Sequence, residues 1–110
     1  IADEVQTGFG RTGTLFAMEQ FDVEPDLFTL AKSIAGGLPL SGVIGRSTIM
    51  DSAHVGGIGW TFGGNPVIAA ACRATLETIL KSSLIENTIN KEKLFRKLLI
   101  HPKIKEIKGK

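Results

Sequence analysis

The feature that most constrains the fold of this chain is a short apolar run that ends in one lysine and a glycine pair. Residues 26–31 have the length and composition of a buried β-strand. Lys32 follows directly, and Gly36 and Gly37 favour a turn that leaves the sheet. Beside the apolar wall of a sheet, an amine loses its proton more readily and can attack a carbonyl carbon. A solvated loop lysine is the alternative that this stretch leaves open.

The other apolar runs and turns predict an α/β layout with a mainly parallel sheet. Asn65 followed by Pro66 marks a helix start, because the amide can cap the helix and proline suits its first position. Ser47 is expected to cap a further helical turn. The predicted elements are strands at 1–3, 26–31, 42–45 and 104–108, short helices at 15–21 and 47–53, and long helices at 66–81 and 84–100.

Composition excludes several classes of protein. The 110 residues could bury the core of one domain at most, and both ends lie in predicted strands, so we expect an internal piece of a larger protein. No apolar stretch has the length of a membrane span. One cysteine, Cys72, and two distant histidines, His54 and His101, do not form a pattern for a disulfide or a metal site.

Charge is uneven along the chain. Residues 1–90 hold nine acidic and five basic side chains, a balance of −4, whereas residues 91–110 hold eight basic and two acidic ones, a balance of +6. Leucines recur at helical spacing among the lysines of the basic stretch, which is typical of the solvated face of an amphipathic helix. We therefore expect no nucleic-acid partner.

Two acids follow the first predicted strand. Asp3 would lie in the crevice where open α/β sheets bind ligands, and a carboxylate there stabilises a protonated heterocyclic nitrogen. Glu4 points the other way in an extended chain, which favours a structural role. Two solvated loop acids are the alternative.

The loop after these acids fits the dinucleotide-binding pattern G-x-G-x-x-G at Gly8, Gly10 and Gly13. That pattern needs its first glycine at the strand end, where Asp3 and Glu4 stand and would repel a pyrophosphate. A dinucleotide-binding oxidoreductase stays open as an alternative.

A second glycine-rich stretch, residues 56–65, contains Thr61 and leads into the helix predicted from Pro66. Such a loop can bind a phosphate through backbone N–H groups and a hydroxyl, or it can be a plain connection. Asp3, Lys32 and Thr61 together offer an anion for a ring nitrogen, an amine for an aldehyde and a hydroxyl for a phosphate. That combination describes a pyridoxal-phosphate site.

The sequence resembles the class III (omega) aminotransferases. The resemblance is carried by residues 3–13, 25–26, 31–37 and 61–66, and it is strong over residues 1–81 and weaker beyond. Within the class, the residues around 15–19 and 35–42 are most similar to those of 4-aminobutyrate aminotransferases. Trp60 departs from the family, which usually has a small residue there.

The resemblance implies the type I pyridoxal-phosphate transferase fold. Residues 1–81 would be the second half of the large cofactor-binding domain, and residues 82–110 would be a connecting helix and the beginning of the small C-terminal domain. A cytoplasmic homodimer is implied as well.

The resemblance also assigns roles to single residues. Lys32 would be the Schiff-base lysine and would shuttle a proton between substrate and cofactor, while Asp3 would keep the pyridine nitrogen protonated. Val5 would pack on one face of the ring and Gln6 would reach its phenolic oxygen. Thr61 would bind the phosphate of the partner subunit's site.

The expected activity is transfer of an amino group from an omega-amino acid such as 4-aminobutyrate to a 2-oxo acid such as 2-oxoglutarate. An ornithine or diamine aminotransferase, or an aminomutase of the same fold, stays open. So does a non-catalytic module, and we expect the 110 residues alone to be inactive.

Overall fold

The computed structural model describes residues 1–110. Its elements are strands β1 (Ala2–Asp3), β2 (Leu27–Leu30) and β3 (Gly42–Gly45), 3-10 helices Ala17–Gln20 and Lys32–Ala35, and helices α1 (Ser47–Met50), α2 (Pro66–Lys81) and α3 (Leu84–Leu98).

The three strands form one sheet in the order β1-β2-β3. β1 runs parallel to β2, with Asp3 opposite Thr29, whereas β3 runs antiparallel to β2. The α/β class is confirmed, but the sheet in these residues is mixed rather than mainly parallel. A parallel return needs a long crossover, usually a full helix. The connection between β2 and β3 contains only the 3-10 helix Lys32–Ala35.

The core lies between β2, the 3-10 helix Lys32–Ala35 and α2. It consists of six buried apolar residues: Phe9, Leu30, Ile34, Ala35, Ile68 and Ile79. Cys72 and Leu76 pack against this cluster, so the buried face of α2 follows helical spacing from Ile68 to Ile79.

Helix α2 has the predicted bounds. Asn65 caps it, because its side-chain oxygen accepts hydrogen bonds from the backbone N–H groups of Val67 at 2.9 Å and Ile68 at 3.3 Å. On the exposed face, hydrogen bonds from Arg73 and Lys81 hold the pKa of Glu77 below its usual value.

Four other predictions were wrong in detail. The helix expected at 15–21 is the 3-10 helix Ala17–Gln20, and α3 ends at Leu98. Arg46, not Ser47, occupies the cap position of α1. Residues 104–108 form no strand; Arg96 donates to carbonyl oxygens of this tail, those of Ile107 and Gly109.

The chain is elongated, with extents of 57 × 28 × 25 Å. Its radius of gyration is 17.0 Å, against about 13 Å for a compact domain of this length. Large apolar side chains, Val55, Ile58, Trp60 and Phe62 among them, are exposed between α1 and α2. No helix is long and apolar enough to cross a membrane.

The loop 8–13 is fixed by close packing on α3. Gly13 has a positive φ of 92°, and a Cβ atom there would lie 2.8 Å from Cγ1 of Ile89. Gly37 also has a positive φ, 113°, but nothing lies within 4 Å of its Cβ position.

The pair Gly13→Ala and Gly37→Ala therefore separates packing from backbone strain. Both variants incur the left-handed penalty, about 1–2 kcal/mol, but only Gly13→Ala also overpacks, which adds about 1–3 kcal/mol. Urea unfolding should show the larger loss of unfolding free energy for Gly13→Ala. Equal losses would contradict a packing role for Gly13.

Candidate active site

The parallel pairing of β1 and β2 places their carboxyl ends side by side. Asp3 is the last residue of β1, and Lys32 follows the last residue of β2 by two positions. The backbone N–H of Glu4 continues the pairing by donating to the carbonyl oxygen of Thr29 at 3.0 Å. Ligands of open α/β sheets bind at such ends.

The Asp3 carboxylate is held in place by its neighbours. Its Oδ1 accepts a hydrogen bond from the Thr29 hydroxyl at 3.0 Å and one from the backbone N–H of Val5 at 3.1 Å. Both bonds use the same oxygen, so Oδ2 is available to a further donor. A fixed carboxylate with one available oxygen suits a protonated ring nitrogen.

Lys32 is linked to the same cluster. Its ammonium Nζ donates to Oε1 of Gln6 at 2.8 Å. Since the carbonyl end of the amide faces Lys32, the Nε2 group of Gln6 is the end left to donate to another oxygen. Asp3, Val5, Gln6 and Lys32 therefore meet at one edge of the sheet.

The expectation of an apolar wall beside Lys32 was wrong for these residues, because Lys32 is exposed. Burial falls instead on Ile34 and Ala35, which are 7% and 1% exposed. Lys32 itself has a φ of 49°, in the left-handed region that residues with a Cβ atom avoid. Such strain is concentrated at functional sites.

The cluster rests on one buried carboxylate, that of Glu4. This residue is 1% exposed, and its carboxylate accepts hydrogen bonds from the hydroxyl of Thr7 and from the backbone N–H groups of Ala17 (3.1 Å) and Met18 (2.8 Å). Its role is structural, as expected. The sequence does not predict that Glu4 also caps the 3-10 helix Ala17–Gln20 from a distance. The one sign of it is Phe16 at the helix start, because a phenylalanine side chain cannot cap a helix.

Thr61 is exposed, and no hydrogen bond joins it to Asp3, Val5, Gln6 or Lys32.

The start of α2 does not provide the phosphate contacts expected from a helix N-terminus. Asn65 already binds the N–H groups of Val67 and Ile68, its carbonyl oxygen accepts from Ala69, and Pro66 has no N–H. Any phosphate contact from this stretch must therefore come from the Thr61 hydroxyl or from the loop before Asn65.

The dinucleotide alternative was wrong. The backbone N–H of Gly8 donates to Glu4, that of Gly10 to Leu15 and that of Gly13 to Gly10, so none of the three glycines presents a donor to a pyrophosphate. The following helix has only four residues.

Lys32 also lines a cavity of about 990 Å³. Its walls come from the loop at Arg11, from Lys32 and Ser33, and from α2 and α3. No group of three or more His, Cys, Asp or Glu side chains is placed to hold a metal ion.

Comparison with known proteins decides the family. The profile described as "Aminotransferase class-III" matches residues 1–110. The chain belongs to the class III aminotransferases. Class III aminotransferases use pyridoxal phosphate, and the type I transferase fold is confirmed by the structural comparison below.

Two curated relatives and one solved structure illustrate the similarity. The 4-aminobutyrate aminotransferase of Escherichia coli is 53% identical over 118 residues, covering 99% of this chain and 27% of that protein. The 5-aminovalerate aminotransferase of Pseudomonas putida is 54% identical over 88 residues, covering 80% and 21%. An ornithine aminotransferase from Toxoplasma gondii, whose structure shows partial occupancy of PLP at the active site, superposes with a TM-score of 0.90 at 38% identity, covering 97% and 27%. The chain thus spans about a quarter of the length of these class III aminotransferases.

The residues at the sheet edge fit pyridoxal phosphate. With the cofactor bound, Oδ2 of Asp3 would be available to the ring N–H, and Lys32, at the adjacent strand end, would supply the amine for the aldehyde. An acid for the ring nitrogen and an amine for the aldehyde are the two groups that this cofactor requires of its protein.

Glu4→Ala should be strongly destabilising. It leaves the partly buried N–H groups of Ala17 and Met18 without an acceptor, which costs up to about 1–3 kcal/mol for each group. Glu19→Ala is the matched control, since that exposed carboxylate caps only the N–H of Phe16, a loss of about 1 kcal/mol. Chemical denaturation should rank Glu4→Ala well below Glu19→Ala, and the reverse order would contradict the anchoring role of Glu4.

Proposed function

We propose that this chain carries the reactive lysine of an enzyme that moves an amino group from an omega-amino acid such as 4-aminobutyrate to a 2-oxo acid such as 2-oxoglutarate. The observation that carries the proposal is the position of Lys32 beside Gln6 and Asp3, at the adjoining ends of β1 and β2. Membership of the class III aminotransferases supports it.

Bound pyridoxal phosphate supplies an electron sink for the electron pair that remains on a substrate carbon when this carbon loses its proton. Asp3 strengthens that sink, because its carboxylate stabilises positive charge on the ring nitrogen. The Thr29 hydroxyl and the Val5 N–H fix the carboxylate, so it does not have to reorganise when the ring charge develops.

Lys32 has two roles in the proposal. Its Nζ atom would hold the cofactor through the aldehyde carbon. Once the amino group of the substrate has replaced it there, the free Lys32 amine would serve as the base and acid that moves the proton of the amine-bearing carbon.

Gln6 and Val5 orient the ring in the same proposal. Gln6 accepts from Lys32 through Oε1, which leaves its Nε2 to donate to the phenolic oxygen. Val5 is half-buried next to Asp3 and offers an apolar surface for one face of the ring.

We propose that Thr61 acts in the site of a neighbouring subunit. The exposed stretch 54–64, with Trp60 and Phe62 stacked edge to face at 5.9 Å, makes no hydrogen bond to the Lys32 cluster. We therefore propose a cytoplasmic homodimer in which Thr61 contacts the phosphate of the partner's cofactor.

The division at residue 81 is part of the proposal as well. Residues 1–81 contain the sheet, the core helix α2 and all the proposed cofactor contacts, and they are assigned to the large domain. Residues 82–110 contain α3 and the tail, and they are assigned to the connection and the start of the small domain.

Replacing Lys32 tests the reaction. In the full-length enzyme, Lys32→Ala should lower kcat by more than about 10³-fold, because both the covalent hold and the proton carrier are lost. Lys93→Ala, at an exposed lysine of α3, is the control and should stay near the parent rate. Retained activity in Lys32→Ala would refute the assignment.

The amino donor is tested by comparing kcat/KM for 4-aminobutyrate, 5-aminovalerate and ornithine with 2-oxoglutarate as acceptor. We expect 4-aminobutyrate to be preferred, since the relative that covers 99% of this chain carries that name. Ornithine is the second candidate, favoured by the TM-score of 0.90 to an ornithine aminotransferase. A preference for ornithine would overturn the choice of substrate but not the reaction.

A further inference from the structure

The backbone at Lys32 needs external support. Its φ of 49° is unfavourable for any residue with a side chain, and such a conformation persists only where the surroundings impose it. The direction of the Lys32 side chain depends on this conformation, because Cα–Cβ is set by the backbone. The neighbours that hold the 3-10 helix Lys32–Ala35 therefore also aim the amine.

One side of this 3-10 helix is held by α2. Ile34 and Ala35 are buried in the core, and Gly36 closes the turn in the left-handed region with a φ of 60°. A Cβ atom on Gly36 would lie 3.0 Å from Oγ1 of Thr75, so turn and helix are in close contact.

The other side is held by Arg11. Its guanidinium Nε donates to Oγ of Ser33, the residue next to Lys32, at 3.2 Å. This bond and the Lys32–Gln6 bond are the two side-chain hydrogen bonds that reach the 3-10 helix. No carboxylate lies within ion-pair distance of Arg11, so its charge is not used in a salt bridge within these residues.

Arg11 can hold Ser33 because its own backbone is anchored. The adjacent Gly10 is buried, donates to the carbonyl oxygen of Leu15 at 3.1 Å, and packs on Ile85 of α3. Gly13 packs more closely still, on Ile89. The guanidinium therefore extends from a fixed loop to the turn that carries the reactive lysine.

We propose that Arg11 is a positioning residue that acts through Ser33 to keep the Lys32 amine aimed at the sheet edge. This inference rests on the proposed function of Lys32. The nitrogen Nε takes part in no chemistry here; it restrains the turn. Misplacement of a reacting group by about 1 Å can cost about 100-fold in rate.

The test compares four variants of the full-length enzyme: Arg11→Ala, Ser33→Ala, the double variant, and Arg46→Ala as control. Arg46 is an exposed arginine paired with Glu24 and Asp26, outside the site. One measurement is kcat and KM with saturating cofactor. The other is amide hydrogen exchange of residues 31–37 in the cofactor-free enzyme, which reports on the turn without any catalysis.

Each single variant should lower kcat by about 10- to 100-fold with KM little changed. The double variant should lose no more than the worse single variant, because both remove the same bond. Exchange at residues 31–37 should be faster in all three and unchanged in Arg46→Ala.

Unchanged kcat or unchanged exchange in Ser33→Ala would overturn the inference, as would losses that multiply in the double variant. Ser33→Ala removes one oxygen atom only. This variant therefore still tests the inference if Arg11→Ala does not fold. If Lys32→Ala stayed active, the proposed function would fail, whereas the exchange measurement would still decide whether Arg11 restrains the turn.

Discussion

The parallel pairing of β1 with β2 is the constraint on which the site depends. Because Asp3 lies opposite Thr29, the two strands end side by side, and the groups that follow them meet without any long connection between them. The Thr29 hydroxyl then fixes the Asp3 carboxylate, and Gln6 receives the Lys32 ammonium at 2.8 Å. Without this pairing the acid and the amine would belong to separate loops.

Two supports outside the cluster keep this edge in shape. Buried Glu4, directly after β1, accepts hydrogen bonds from the backbone N–H groups of Ala17 and Met18. It therefore ties the far end of the loop 5–16 to the end of β1. The glycines of that loop allow a close approach to α3, which anchors Arg11 opposite Ser33. The loop that resembles a dinucleotide-binding pattern thus has a packing function, and Gly10 and Gly13 are needed for contact with Ile85 and Ile89 rather than with a phosphate.

Local signals in the sequence predicted some elements well. Asn65–Pro66 predicted the start of α2 because capping and proline preference are properties of neighbouring residues, and the short apolar run at 42–45 predicted β3. The direction of β3, the missing strand at 104–108 and the remote cap from Glu4 depend on residues distant in sequence, so local patterns could not supply them. The residue types of the site could be read from the sequence, which left the exposure of Lys32 open, but the left-handed backbone of Lys32 could not be read from it.

The central claim is that Lys32 is the amine that holds the aldehyde carbon of pyridoxal phosphate. The most direct measurement is reduction of the full-length enzyme, loaded with cofactor, by sodium borohydride, followed by proteolysis and mass spectrometry of the labelled peptide. The account predicts a pyridoxyl group on Lys32 alone. A label on another lysine, such as Lys91 on the opposite wall of the cavity, would contradict it.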